Sequence, residues 1–253
     1  MALLEIKNLD CRYGDIHAVN DVSFTLEKNE KLCILGANGS GKTTLLSAVA
    51  DLIPYSGEII INGKNSKNMK SRERAANIAM LRQTSQIYFS YTVRDTVAMG
   101  RYAKNKGIFS PLSKEDNEKI DECMREMGIY DIKEREISTL SGGQLQRVYL
   151  ARAFAQEPKI ILFDEPTNHL DLFYKTELCE KAEKWVKNGD RAIIAVFHDI
   201  GLAVSFADKI ILVKDGKIVK AGNADIVRDD KLLYEVYGAS VREYFKKSLK
   251  FFE

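Results

Sequence analysis

The run Gly36-Ala37-Asn38-Gly39-Ser40-Gly41-Lys42-Thr43 places glycines, a lysine and a hydroxyl at the G-x-x-x-x-G-K-[ST] spacing. Glycines let the chain wrap an anion with its backbone N–H groups, and a helix starting at the end of the loop adds a favourable dipole. Lys42 can reach the β- and γ-phosphates of a nucleotide, and the Thr43 hydroxyl can ligate Mg²⁺. The loop lies between a strand pattern, LCIL, and a helix expected from Thr43 to Ala50, which a chance glycine turn would lack.

Asp164 and Glu165 follow four apolar residues, Ile160 to Phe163. A buried strand presents such acids at the carboxyl edge of its sheet, where ligands bind in open parallel sheets. Asp164 is suited to hold Mg²⁺, directly or through water, and Glu165 to polarise an attacking water. Gln83 follows NIAML and His198 follows AIIAVF, so both also sit at strand ends. Gly36, Gln83, Asp164 and His198 then converge on one nucleotide, with His198 as a γ-phosphate contact. Leu140-Ser141-Gly142-Gly143-Gln144 opens a further helix and makes a second anion site. Since the loop at Gly36 is already a complete cradle, the second site is expected to serve a nucleotide held elsewhere.

The elements that position these groups follow from periodicity. LEIKNLDCRY and DVSFTLEKNEKLCILG read as strands, and EIIING and NIAMLRQ as two more. KIILFDEP, a helix with Leu178, Ala182, Trp185 and Val186 on one face, and RAIIAVFHD form a βαβ unit with a parallel sheet. KIILVKDGKIVKAG reads as a hairpin turning at Asp215-Gly216. From about residue 90 to 156 the strand signals stop. Ser113 is expected to cap a helix with Ile120, Cys123, Met124 and Met127 on one stripe, and another helix should run from about Gly143 to Gln156. The expected fold is an α/β core with a mostly parallel sheet, an antiparallel β subdomain and an inserted α-helical subdomain.

Bulk properties narrow the partners. A chain of 253 residues, 45% hydrophobic and 29% charged, can bury a sizeable core. Its net charge of +2 gives no argument for nucleic acid. Cys11, Cys33, Cys123 and Cys179 are scattered, which argues against a zinc site or disulfide framework and suits a reducing cytosol. The apolar runs are strand-sized, and Glu5 and Lys7 interrupt what would be a signal's apolar region. Any membrane role is therefore expected through partner proteins.

The order phosphate loop, Gln83, LSGGQ, ILFDE and His198 resembles the ATP-binding cassette (ABC) family across nearly the whole chain. The resemblance implies a P-loop NTPase domain over residues 1–238 and a helical tail over 239–253. It also implies ATP and Mg²⁺, and two copies lying head to tail with each ATP between one chain's phosphate loop and the other's LSGGQ. Nucleotide contacts would come from Tyr13, stacking on adenine, from Gly36 through Thr43 with Thr44, and from Ser141, Gly142, Gly143, Gln144 and Asp171. Thr43, Gln83 and Asp164 would hold the metal. Glu165 would be the general base, His198 the switch histidine, and Gln83 would contact the water and sense a membrane partner. Asn168-His169-Leu170-Asp171 would cross the interface between copies. His17 receives no role.

A narrower resemblance lies in FSYTVRDTVAMGRYAKNKGIFS and TNHLDL, which look like the cassettes of importers for ferric siderophores, haem and cobalamin. It implies polytopic permease subunits, docked near residues 89–93 at the cytoplasmic face of the membrane, and indirectly a substrate-binding protein. An iron–sulfur assembly ATPase of the same family is the alternative, as is a subunit for another substrate. A P-loop kinase or GTPase would leave LSGGQ unexplained. Three residues depart from the common family pattern, Asn29, Ala37 and Arg82, and none removes a chemical group. The tail is expected to form a helix packed on its own domain, with Val241, Tyr244, Phe245, Leu249 and Phe252 apolar.

Overall fold

The computed structural model describes residues 2–82, 91–104, 111–167 and 170–250. In chain order the elements are β1 (Leu4–Tyr13), β2 (Ile16–Leu26), β3 (Lys31–Leu35), α1 (Lys42–Val49), β4 (Ser56–Ile61), β5 (Lys64–Asn65), α2 (Ser71–Asn77) and β6 (Ile78–Leu81). Helices α3 (Val93–Ala98), α4 (Lys114–Glu126) and α5 (Gly142–Ala155) come next. The chain then runs through β7 (Ile160–Asp164), α6 (Leu172–Lys187), β8 (Ala192–Val196), α7 (Ile200–Phe206), β9 (Lys209–Lys214), β10 (Lys217–Gly222), α8 (Asp230–Tyr237) and α9 (Val241–Leu249).

The larger sheet has the order β10-β9-β3-β8-β7-β6, with β10 antiparallel to β9 and the other pairings parallel. Its central strands β3, β8 and β7 are apolar except at Lys31 and Asp164, which lie at strand ends, because both faces are covered. On one face Leu32, Ile34, Ile160, Leu162 and Ile194 join the core formed with α1 and the smaller antiparallel sheet β2-β1-β4-β5. On the other, Cys33, Leu35, Ile161, Phe163 and Ile193 meet α3, α4, α5 and α6. Helix α1 is thus held between the two sheets, and the loop entering it is anchored at both ends.

The helical region is built on its caps. Ser113 and Asp116 form a reciprocal capping box on α4, and Ile120, Cys123, Met124 and Met127 are all buried, as the spacing predicts. At Met99-Gly100-Arg101 the chain passes so close to α5 that a Cβ on Gly100 would stand 2.3 Å from the Arg152 carbonyl oxygen. Arg101 is buried beside it. Its Nε donates to Asp116 Oδ1 at 2.8 Å, and its Nη1 donates to the Ala155 carbonyl and to Glu157 Oε2, both at 2.7 Å. Burial alone would raise the Glu157 carboxyl. Hydrogen bonds from Arg101 and Lys104 outweigh it and hold the group down at about 2.

Three details differ from the expectation. Helix α1 opens at Lys42 and α5 at Gly142, each one residue earlier than the spacing suggests. The hairpin β9–β10 forms as expected at Asp215-Gly216 and, since β9 lies parallel beside β3, extends the main sheet. Val93, expected near a docking surface, is fully buried with Val97 in the core, while Tyr91 is exposed. Asn29, one of the three departures from the family pattern, has φ +61, a left-handed conformation that Asn adopts more readily than most residues. The tail forms the expected helix, but only its start packs on the domain: Tyr244, Phe245 and Leu249 are exposed, and Phe252 lies outside the described residues. Val241 lies against the core and Ser240 Oγ meets both Asp230 carboxylate oxygens at 3.2 Å. Among the described residues no helix is long and apolar enough to cross a membrane.

Candidate functional site

Strands β3, β7 and β8 end side by side, and their carboxyl ends deliver Gly36, Asp164-Glu165 and His198 to one edge. The loop after β3 is shaped by Lys42. Its Nζ donates to the carbonyl oxygens of Gly36 at 2.9 Å and Ala37 at 2.8 Å and lies 3.4 Å from Ser40 Oγ. Burial pushes the Lys42 ammonium below its usual range, while the Glu165 and Asp164 carboxylates work in the opposite direction.

Thr43 Oγ1 donates to Asp164 Oδ1 at 3.0 Å, joining the start of α1 to the end of β7. Asp164 is 2% exposed, and burial raises its carboxyl; the Thr43 hydrogen bond opposes that rise, and the Glu165 carboxylate adds to it. A hydroxyl and a carboxylate oxygen in contact are hard donors of the kind Mg²⁺ takes, so this pair fits that ion. Among the described residues no cluster of three His, Cys, Asp or Glu could hold a metal, so water or substrate oxygens would have to complete the shell.

Glu165 is 8% exposed and has φ +55, a left-handed backbone that is uncommon for a side chain of this size. Its N–H donates to the Val196 carbonyl at 3.1 Å, so the turn after β7 leans onto β8. His198 Nε2 lies 2.5 Å from Glu165 Oε1. The arrangement can hold a carboxylate ready to accept a proton, next to a lysine and a metal-binding pair.

A cleft opens beside these groups, reached by Lys42, Thr43 and Glu165, while Asp164 and His198 are not part of its wall. Of the expected residues, Asn38, Gly39, Gly41, Lys42, Thr43, Thr44 and Glu165 line it. Ile16, His17, Ala18, Asp215 and Gly216 complete its wall, and none was expected. Gly41 has φ +100, and a Cβ there would stand 2.1 Å from the Ala18 carbonyl oxygen, so the loop and β2 touch backbone to backbone. Gly216 N–H donates to the Ser40 carbonyl at 3.1 Å, and its own carbonyl accepts from Asn20 N–H at 2.8 Å. The β9–β10 turn is therefore a strut under the phosphate loop. The pairing of β9 with β3 puts it there, and a hairpin motif alone carries no sign of it.

Tyr13 stands opposite Ile16 at the β1–β2 turn, 51% exposed, and Ile16 rather than Tyr13 lines the cleft. Ser141, Gly142, Gly143, Gln144 and Asp171 lie outside the cleft wall. Ser141 Oγ accepts from Gln144 N–H at 3.3 Å while Gln144 Oε1 accepts from Ser141 N–H at 3.1 Å. Asp171 caps α6, accepting from Tyr174 N–H at 3.0 Å. Gln146 Nε2 donates to the Pro166 carbonyl at 2.8 Å, tying α5 to the turn after Glu165. Gln83, Asn168 and His169 lie outside the described residues.

This geometry defines a P-loop nucleotide-binding cassette with a second, detached glycine segment. A family profile described as ABC transporter matches residues 19–168, and the chain belongs to that family. It is 36% identical over 94% of its length to YvrA of Bacillus subtilis (strain 168), an uncharacterised ABC transporter ATP-binding protein, of which it spans 54%. It is 33% identical to the petrobactin import ATP-binding protein YclP of the same organism, covering 94% of each chain. With the iron(3+)-hydroxamate import ATP-binding protein FhuC, also from that organism, it shares 34% identity over 94% of this chain and 88% of that one. Among solved structures, the dimeric post-hydrolysis state of the cassette MJ0796 bound to ADP and Pi superposes with a TM-score of 0.78. The two are 28% identical, with 87% of this chain and 98% of that one covered.

Proposed function

We propose that this chain hydrolyses ATP as the energy-coupling subunit of an importer for a metal chelate of the ferric-siderophore, haem or cobalamin type. The observation that carries the ATPase reading is the 2.5 Å contact of His198 with Glu165, beside Lys42 and the Thr43–Asp164 pair. The phosphate loop binds the triphosphate through its backbone and Lys42. Thr43 and Asp164 would hold Mg²⁺, which would supply charge neutralisation for the phosphates. Glu165 accepts a proton from the attacking water, and His198 fixes the carboxylate and faces the γ-phosphate. Gln83 completes the assignment as the contact to metal and water.

Two copies act together, head to tail. Gly143 supports this. It lies in helical backbone, where glycine costs about 1 kcal/mol relative to alanine, yet a Cβ there would meet nothing nearer than Leu170 Cδ2 at 3.8 Å. Among the described residues nothing nearby requires the glycine, which supports a backbone kept bare for an approach from outside. Leu172 and Phe173, 81% and 71% exposed just after the 168–171 loop, offer apolar surface for the same partner. Attached permease subunits at the cytoplasmic face of the membrane would convert closure and reopening into alternating access.

The cargo class rests on likeness to the petrobactin and iron(3+)-hydroxamate import proteins. The test is to purify the chain with membrane subunits encoded beside it and to measure ATP hydrolysis with candidate chelates. Stimulation by a ferric siderophore, haem or cobalamin is expected. Stimulation only by an unrelated solute would overturn the cargo class while leaving the ATPase intact.

A further inference from the structure

His17 belongs to no motif, yet both of its ring nitrogens are engaged at the wall of the nucleotide cleft. Nε2 lies 2.5 Å from Asp10 Oδ1, and Nδ1 lies 3.1 Å from Arg12 Nη2. A guanidinium can only donate, so Nδ1 accepts and Nε2 carries the proton toward Asp10. Arg12, His17 and Asp10 thus form a continuous donor–acceptor chain across β1 and β2.

This chain of side chains sits on a break in the ladder. Cys11 pairs with Val19, but the next residue, Arg12, pairs with His17, so Ala18 is the extra residue of a β-bulge. A bulge releases its backbone from the ladder and can aim it elsewhere. Here the Ala18 carbonyl oxygen is the atom nearest to a Cβ built on Gly41, at 2.1 Å, and on Gly216, at 2.9 Å. The bulge therefore seats against the phosphate loop and against the turn that supports it. One strand end further on, the same hairpin carries Tyr13 and Ile16.

We infer that His17 is a positioning residue for nucleotide binding: by bridging Arg12 and Asp10 it locks the Ala18 bulge against Gly41 and fixes the hairpin end beside the cleft. The inference rests on the nucleotide reading above. It assigns His17 an effect on affinity and none on the hydrolytic step, because Glu165 and His198 hang from other strands.

The test uses the full chain and MgATP, with equilibrium binding and steady-state hydrolysis measured on wild type first. A wild type that binds no ATP would overturn the nucleotide reading itself, and this inference with it. Given a binding wild type, His17→Ala is expected to raise Kd and KM about five- to tenfold, with kcat changed less than about twofold. His17→Gln, which keeps one donor and one acceptor, should restore most of that affinity. Arg12→Ala removes one end of the bridge from an exposed side chain, which keeps the test usable if His17→Ala fails to fold; about a two- to threefold rise in Kd is expected. Wild-type affinity in both alanine variants would overturn the inference. So would a Gln variant as weak as the Ala variant, or a loss of kcat in step with a falling thermal midpoint.

Discussion

Glu165 Oε1 and His198 Nε2 meet at 2.5 Å although they end different strands, β7 and β8. The register that pairs Asp164 with Val196 sets this contact, and it makes the acid and the imidazole one unit. Glu165→Gln preserves the shape of the side chain and removes its basicity. Steady-state hydrolysis should fall by about 10²-fold or more while ATP binding persists. Size-exclusion chromatography with ATP should then show a trapped pair of chains, and near-wild-type turnover would exclude Glu165 as the base.

His198→Ala addresses the other half of that unit. Turnover should drop about 10²-fold with little change in KM for ATP, because the phosphate loop is untouched. Single-turnover measurements would show the loss in the chemical step. A change in KM alone would assign His198 to binding only.

At Gly143, stability and activity should move in opposite directions. Gly143→Ala places a methyl where the described residues leave room. Thermal or denaturant unfolding of the isolated chain should report unchanged stability or a gain of roughly 0.5–1 kcal/mol. ATP hydrolysis should nevertheless be lost, since the methyl blocks the approach of the partner's nucleotide. Retained hydrolysis would argue against the split site.

Gly100→Ala makes the contrasting case. Its Cβ would stand 2.3 Å from the Arg152 carbonyl, so the chain segment and α5 must part. A loss of about 1–3 kcal/mol is expected in denaturant unfolding.

Acid should unravel the same junction. The folded Glu157 carboxyl sits at about 2, below its ordinary value of 4.5, so it adds stability above the ordinary range and loses it as pH falls toward 2. Asp116, buried but held low by Ser113 and Arg101, acts in the same direction. Stability measured against pH should decline between roughly pH 5 and pH 2, and Glu157→Gln should flatten part of that decline. An unchanged acid limb in the variant would remove Glu157 from the account.

The chemistry at the ends of β3, β7 and β8 was legible because each group follows its own apolar run, and parallel strands deliver their ends to one edge. The buried stripes of α4 and α6 were legible for the same local reason. What escaped depends on backbone register and on how a segment packs, which residue types do not encode. The Ala18 bulge exists only in the register of β1 against β2, and no residue type announces it. Val93 falls in the 89–93 stretch that the importer resemblance places at a docking surface, yet the N-cap at Thr92 turns it into the core. Met99-Gly100-Arg101 enters the sequence reading only through the importer resemblance; in the structure a bare backbone and a buried cation hold the end of α5.

Two turns of this chain have nearly the same backbone, with φ +49 and +78 at Asn62-Gly63 and +48 and +76 at Asp215-Gly216. The first is exposed, whereas Gly216 is buried against Ser40 and β2. For protein engineering they are opposites. A peptide tag, a fluorescent domain or new chain ends inserted at Asn62-Gly63 should leave nucleotide binding intact. The same insertion at Asp215-Gly216 would pry out the strut on which the phosphate loop rests.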